Sequence, residues 1–137
     1  MKKNKIFLYL SWGWLILVII ASFVPRPQSI VRQLLRKMLR LVSKGDIDKQ
    51  VHLLFYFIMV FLFCLAYKNN KVRFVIVAIA IFISGVVEYL QPILSHGSRR
   101  TDKIDLLYNI SGCFLGLIAA IFIEFFISKF REIKQIA

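Results

Sequence analysis

Apolar residues along this chain come in long, near-continuous runs separated by short polar stretches, occupying 6–24, 51–67, 74–91 and 105–127. A helix rises about 1.5 Å per residue and a bilayer's hydrocarbon core is about 30 Å thick. The first and last runs therefore cross it outright, and the middle two do so once their polar-flanked ends are counted. The pattern predicts an all-α, polytopic membrane protein: a four-transmembrane-helix bundle forming one domain over 1–137. The first run follows Lys2, Lys3 and Lys5, as a secretion signal would. It ends in Phe23-Val24-Pro25-Arg26-Pro27 with no small-x-small cleavage site, and is read as a span.

A different pattern fills the interval before the second run. Arg32, Arg36, Arg40 and Lys44 recur at i+4 steps, with Val31, Leu34, Leu35, Met38, Leu39 and Val42 on the other side. This spacing predicts an amphipathic helix over 29–44 lying in the membrane interface, its cations at headgroup level. Pro25 and Pro27 end the preceding span, and Gly45 stops the amphipathic helix. Such a helix is either a structural connector or a basic wall that draws anionic lipid headgroups.

Composition agrees with the pattern: 59% of residues are apolar. A net charge of +12 would suggest nucleic acid in a water-soluble protein. Here the cations sit at helix ends, where they meet lipid phosphates, so the expected partners are membrane lipids, anionic ones in particular, and not nucleic acid. Charge does not orient the bundle, because nine Lys and Arg fall on one side and ten on the other. Cys64 and Cys113 lie inside apolar runs without metal-ligand spacing and read as small hydrophobes.

Candidate chemistry lies where the runs meet polar residues. Asp48, His52 and Tyr56 are successive i+4 neighbours on one helix face, and Lys49 stands three residues before His52. A carboxylate such as Asp48 beside an imidazole orients the ring and favours its cationic form. Glu88 and Gln91 are i,i+3 neighbours just before Pro92, which is expected to stop the third helix. An acid after so apolar a run should face the bundle interior and find a partner in Arg99, Arg100 or Lys49. The fourth helix opens with Asp102, a natural cap, then Asp105 and Asn109 one turn apart. Gly112 and Gly116 follow as a close-packing face. Glu124, near the far end, is expected to reach the opposite interface or pair with a basic flank such as Lys68.

Four antiparallel spans put the start of the second helix, the end of the third and the start of the fourth on one side. Asp46, Asp48, Glu88, Asp102 and Asp105, five of the seven acids, converge there. The order Asp48-Lys49-x-x-His52-x-x-x-Tyr56, Glu88-x-x-Gln91, Arg99-x-x-Asp102-x-x-Asp105-x-x-x-Asn109-x-x-Gly112-x-x-x-Gly116 resembles the VanZ-like family. That family is named for a membrane protein associated with resistance to the glycopeptide teicoplanin. The resemblance implies a cytoplasmic-membrane protein of the cell envelope with cytosolic termini and an outward-facing charged site. It also implies lipid-linked cell-wall precursors or glycopeptides as partners.

Three functions fit these residues. In the first, Lys49, His52, Tyr56, Glu88, Gln91, Arg99, Asp102, Asp105 and Asn109 bind or handle an anionic lipid or lipid-linked headgroup. In the second, a membrane-embedded enzyme acts on a lipid phosphate or acyl group with His52 as base or nucleophile and Asp48 or Asp105 beside it. In the third, the charges pin helix ends together in a structural or assembly protein. A hard divalent ion would use Asp48, Glu88, Asp102 or Asp105. No Asp-x-Asp or His-x-x-x-His pattern marks a metal site, so neither metal nor cofactor is expected.

Overall fold

A computed structural model describes residues 4–23, 47–94 and 102–136. They form four helices: α1 (Lys5–Phe23), α2 (Ile47–Ala66), α3 (Asn70–Leu94) and α4 (Lys103–Ile136). There is no strand among the described residues. Each helix is long and apolar enough to cross a membrane. The chain is a multi-pass membrane protein built as an all-α four-helix bundle. The interfacial helix expected over 29–44 lies outside the described residues.

The helices outrun the apolar runs because hydropathy marks only the stretch that hydrocarbon requires, whereas backbone hydrogen bonding continues into the interface. So α2 starts four residues before the second run, and α4 carries on past 127 through exposed Glu132 and Lys134. Pro92 does not stop α3, which ends at Leu94. In a last turn, proline's missing N–H removes only the bond to the Glu88 carbonyl. At the helix starts, Asn69 Oδ1 accepts the Lys71 N–H at 2.9 Å, and Asp102 Oδ1 accepts the Ile104 N–H at 2.8 Å. Both are caps that satisfy orphan donors.

Packing centres on α2 against α4. A Cβ built on Gly112 would meet the Leu53 carbonyl, and one on Gly116 the Phe57 carbonyl, so the two backbones touch. This is the close approach expected of that pair. Through α1 runs a stripe of Ser11, Trp14, Leu15, Val18 and Ser22 that faces inward. Its serines are buried because each hydroxyl donates to its own helix, Ser11 to the Leu8 carbonyl and Ser22 to the Val18 carbonyl. Trp14 Nε1 donates to the Phe55 carbonyl at 3.0 Å, and its ring meets Phe55 edge-on. On α3 the inward stripe is Arg73, Val77, Ala80, Ser84, Val87, Glu88 and Gln91. Cys64 and Cys113 are both fully buried in the core, as small hydrophobes would be. Outside, Tyr9, Phe82 and Tyr89 each leave more than two-thirds of their surface exposed, which suits lipid rather than water.

Opposite the predicted site, the start of α1 meets the end of α2 through Asn4 N–H donating to the Ala66 carbonyl at 3.2 Å. There Arg73 is buried. Its Nε donates to the carbonyls of Tyr67 (2.9 Å) and Cys64 (3.1 Å), and a terminal nitrogen reaches Cys64 as well, at 3.0 Å. The same terminal nitrogen pairs with Glu124 of α4. Glu124 thus finds Arg73 as its partner rather than Lys68, because Arg73 lies on the inward stripe of α3, whereas Lys68 is exposed in the turn before it.

Candidate functional site

At the other end of the bundle, α2, α3 and α4 bring four polar side chains together. His52 stands in the second turn of α2, next to Leu53, whose carbonyl lies against Gly112. Asn109 is one turn before Gly112 on α4. Backbone contact at the glycine therefore draws the imidazole to the amide, and His52 Nδ1 lies 3.2 Å from Asn109 Oδ1. One further turn toward the start of α4, Asp105 places Oδ2 3.7 Å from His52 Nε2. From α3, Glu88 brings Oε1 to 3.9 Å from His52 Nδ1. The imidazole is thus met by an amide and two carboxylates from two other helices.

Burial grades across the cluster. Glu88, Gln91 and Asn109 are almost wholly buried, while the side chains of His52 and Asp105 keep 18% and 16% of their surface, so the site is reached from the interface. In the Nδ1–H tautomer the ring donates to the Asn109 oxygen, and Nε2 is the nitrogen on the Asp105 side. Such a ring can take a proton, coordinate an ion or hydrogen-bond a headgroup. The donor atoms of His52, Glu88 and Asp105 all fall within 4.8 Å of one another, a spacing suited to a metal ion. No spacing within one segment could show this, since the donors come from three helices.

Further residues named from the sequence take distinct places. Lys49 lies in the first turn of α2, at the same membrane side as the cluster, and Lys103 is exposed two residues before Asp105. Tyr56 is buried one turn below His52, with its hydroxyl against Ser84 of α3, though neither forms a well-aligned hydrogen bond. Gln91 shares the inward stripe with Glu88. Asp102 caps α4. Asp48 lies in the first turn of α2 with its side chain outside the described residues, as are Arg99 and Arg100 altogether. Ser84 is an addition that sequence reasoning passed over. Its signal was the i+4 step from Ala80 and to Glu88 on an otherwise apolar face.

Comparison with protein-family models, with curated proteins and with solved structures finds no match.

Proposed function

We propose that this protein binds the anionic headgroup of a lipid, or of a lipid-linked cell-envelope molecule, at the end of the bundle where α2, α3 and α4 meet. The observation carrying this reading is the convergence of His52, Glu88, Asp105 and Asn109 in a site that is buried on one side and open on the other. Buried ionisable groups in a membrane are costly to keep and usually mark a ligand path. Lys49 and Lys103 at the same end, with Arg99 and Arg100 near in sequence, supply cations for a phosphate. The amide and carboxylates supply hydrogen bonds for sugars or amides. The VanZ-like order of these residues adds a role in glycopeptide (teicoplanin) resistance and an outward-facing site in the cytoplasmic membrane, with cytosolic termini.

Lipid retention measured by native mass spectrometry tests the binding. The wild-type protein in detergent should keep phosphatidylglycerol in preference to phosphatidylcholine. Replacing Arg99 by Lys or Lys49 by Ala should lower that retention by about tenfold, the effect of one lost charge-assisted bond. Equal retention of the two lipids would remove the headgroup reading. For orientation, a single cysteine at Ser98, in a chain with Cys64 and Cys113 replaced by Ala, should react with a membrane-impermeant thiol reagent on intact cells. Protection until the cells are opened would place the site in the cytosol.

A second reading is favoured by the imidazole itself. Held at Nδ1 by Asn109 and with Nε2 toward Asp105, His52 has the arrangement of an oriented base. His52→Asn should then abolish turnover of a lipid phosphate or acyl substrate while leaving lipid retention intact.

A further inference from the structure

The interior of the bundle near the cluster holds polar atoms that the described residues do not satisfy. Asn109 Nδ2 and Gln91 Nε2 belong to side chains only 1% and 2% exposed, and neither has a hydrogen-bond partner among the described residues. In membrane helices such atoms are expensive, and as N–H donors they call for an oxygen acceptor, such as a water or phosphate oxygen carried by an ion at the cluster, rather than for the ion itself. Asn109 is aimed into the cluster, since its oxygen faces His52 Nδ1 at 3.2 Å. Beside it stand one imidazole and two carboxylates from three separate helices, with donor atoms within 4.8 Å of one another.

We propose that His52, Glu88 and Asp105 form a binding site for one divalent transition-metal cation of the Zn2+ class, with Asn109 orienting the histidine. Metal–ligand bonds of about 2.0–2.2 Å set neighbouring donors roughly 3.3 Å apart, so small rotamer changes from the observed spacing close the shell. One nitrogen and two carboxylate oxygens select against Mg2+ and Ca2+, which prefer all-oxygen shells, and favour Zn2+ or Mn2+. Metal-bound histidines usually donate their other N–H to a carbonyl or carboxylate, and the Asn109 oxygen stands at Nδ1 to receive it. Nε2, on the Asp105 side, is then the coordinating atom, and Glu88, whose Oε1 stands 3.9 Å from Nδ1, turns along the ring edge to join it. Three protein ligands leave a position open toward the interface, where His52 and Asp105 keep their exposure. A phosphate oxygen fits that position, and this last step rests on the headgroup reading.

The test is titration calorimetry with Zn2+ alone, on the full chain in detergent, with any purification tag removed and no lipid ligand added. One equivalent should bind. His52→Asn and Glu88→Gln should each weaken it by about tenfold or more, while Glu132→Gln, at the far end of α4, leaves it unchanged. Circular dichroism on each variant confirms that it is helical. Asp105→Asn, in the half-open part of the site, should weaken binding comparably and serves if Glu88→Gln does not fold. Absence of binding below about 1 mM overturns the proposal. So does affinity that survives His52→Asn and Asp105→Asn. Because lipid is absent, loss of the metal site leaves the headgroup reading to its own measurement.

Discussion

Gly112→Leu is expected to abolish the folded bundle. A Cβ at 112 already meets the carbonyl oxygen of Leu53, with the Leu53 carbonyl carbon and the Phe57 nitrogen both at 3.1 Å. All three are backbone atoms of α2, which cannot swing aside as a side-chain tip can. Gly112→Ala should cost about 1–3 kcal/mol, the range for overpacking, and leucine more, because it must drive α2 and α4 apart along their closest contact. Gly116, one turn further on, faces the Phe57 carbonyl and the Val60 Cβ at 3.3 Å and should behave alike. The contrast is internal, since a Cβ on Gly13 or Gly85 meets nothing within 4 Å. Alanine at either should be neutral or stabilise the helix by about 0.5–1 kcal/mol. Thermal unfolding in detergent checks the series. A wild-type melt for Gly112→Leu would refute the backbone contact. Since Leu53 adjoins His52 and Asn109 lies one turn from Gly112, the alanine variant should also weaken binding at the cluster.

Removing Arg73 should be nearly as damaging. Its guanidinium supplies donors to the Cys64 and Tyr67 carbonyls at the end of α2, where helix carbonyls lack partners, and pairs with Glu124 across to α4. Arg73→Met leaves those carbonyls without that donor and Glu124 without its cation. Breaking a fully buried pair costs about 3–5 kcal/mol, and with Glu124 27% exposed the loss should fall at or below the lower end of that range. Glu124→Gln, which keeps an acceptor and lies in a more open position, should cost less. The double replacement Arg73→Met with Glu124→Leu should regain part of the loss, because no charge is left behind, but not the part owed to the carbonyls. Unfolding in detergent with a double-mutant cycle separates these. Full recovery in the double variant would mean that the capping bonds contribute nothing.

Much of this was legible in the chain. Four spans follow from run length, and antiparallel threading puts His52, Glu88, Asp105 and Asn109 at one end without further information. The Gly112–Gly116 contact follows from its spacing. Helix ends were less legible, because apolar runs report where hydrocarbon lies and not where hydrogen bonding stops; Pro92 within α3 and the polar last turns of α4 are the cases. The partners within the site were not legible either. The carboxylates that meet His52 come from α3 and α4, and only packing reveals that three helices bring donors within bonding range. For Glu124 the sequence offers the opposite interface or a basic flank such as Lys68, and Arg73 is the cation it meets; Arg73, Val77, Ala80, Ser84 and Glu88 step by three and four residues and so belong to one face. Reading that face as a unit would have turned Arg73 inward and paired it.

That face has a mechanical meaning. Arg73 and Glu88 are 15 positions apart on α3, about 22 Å along its axis, and each meets an ionisable partner on another helix, Arg73 with Glu124 of α4 and Glu88 with His52 of α2. Between them the face offers small side chains such as Ala80 and Ser84. A helix held this way is a beam clamped at both ends: sliding by one turn, about 5.4 Å, would have to break both clamps together. Any motion of α3 in the bilayer is therefore confined to flexing at mid-span or pivoting about whichever clamp still holds.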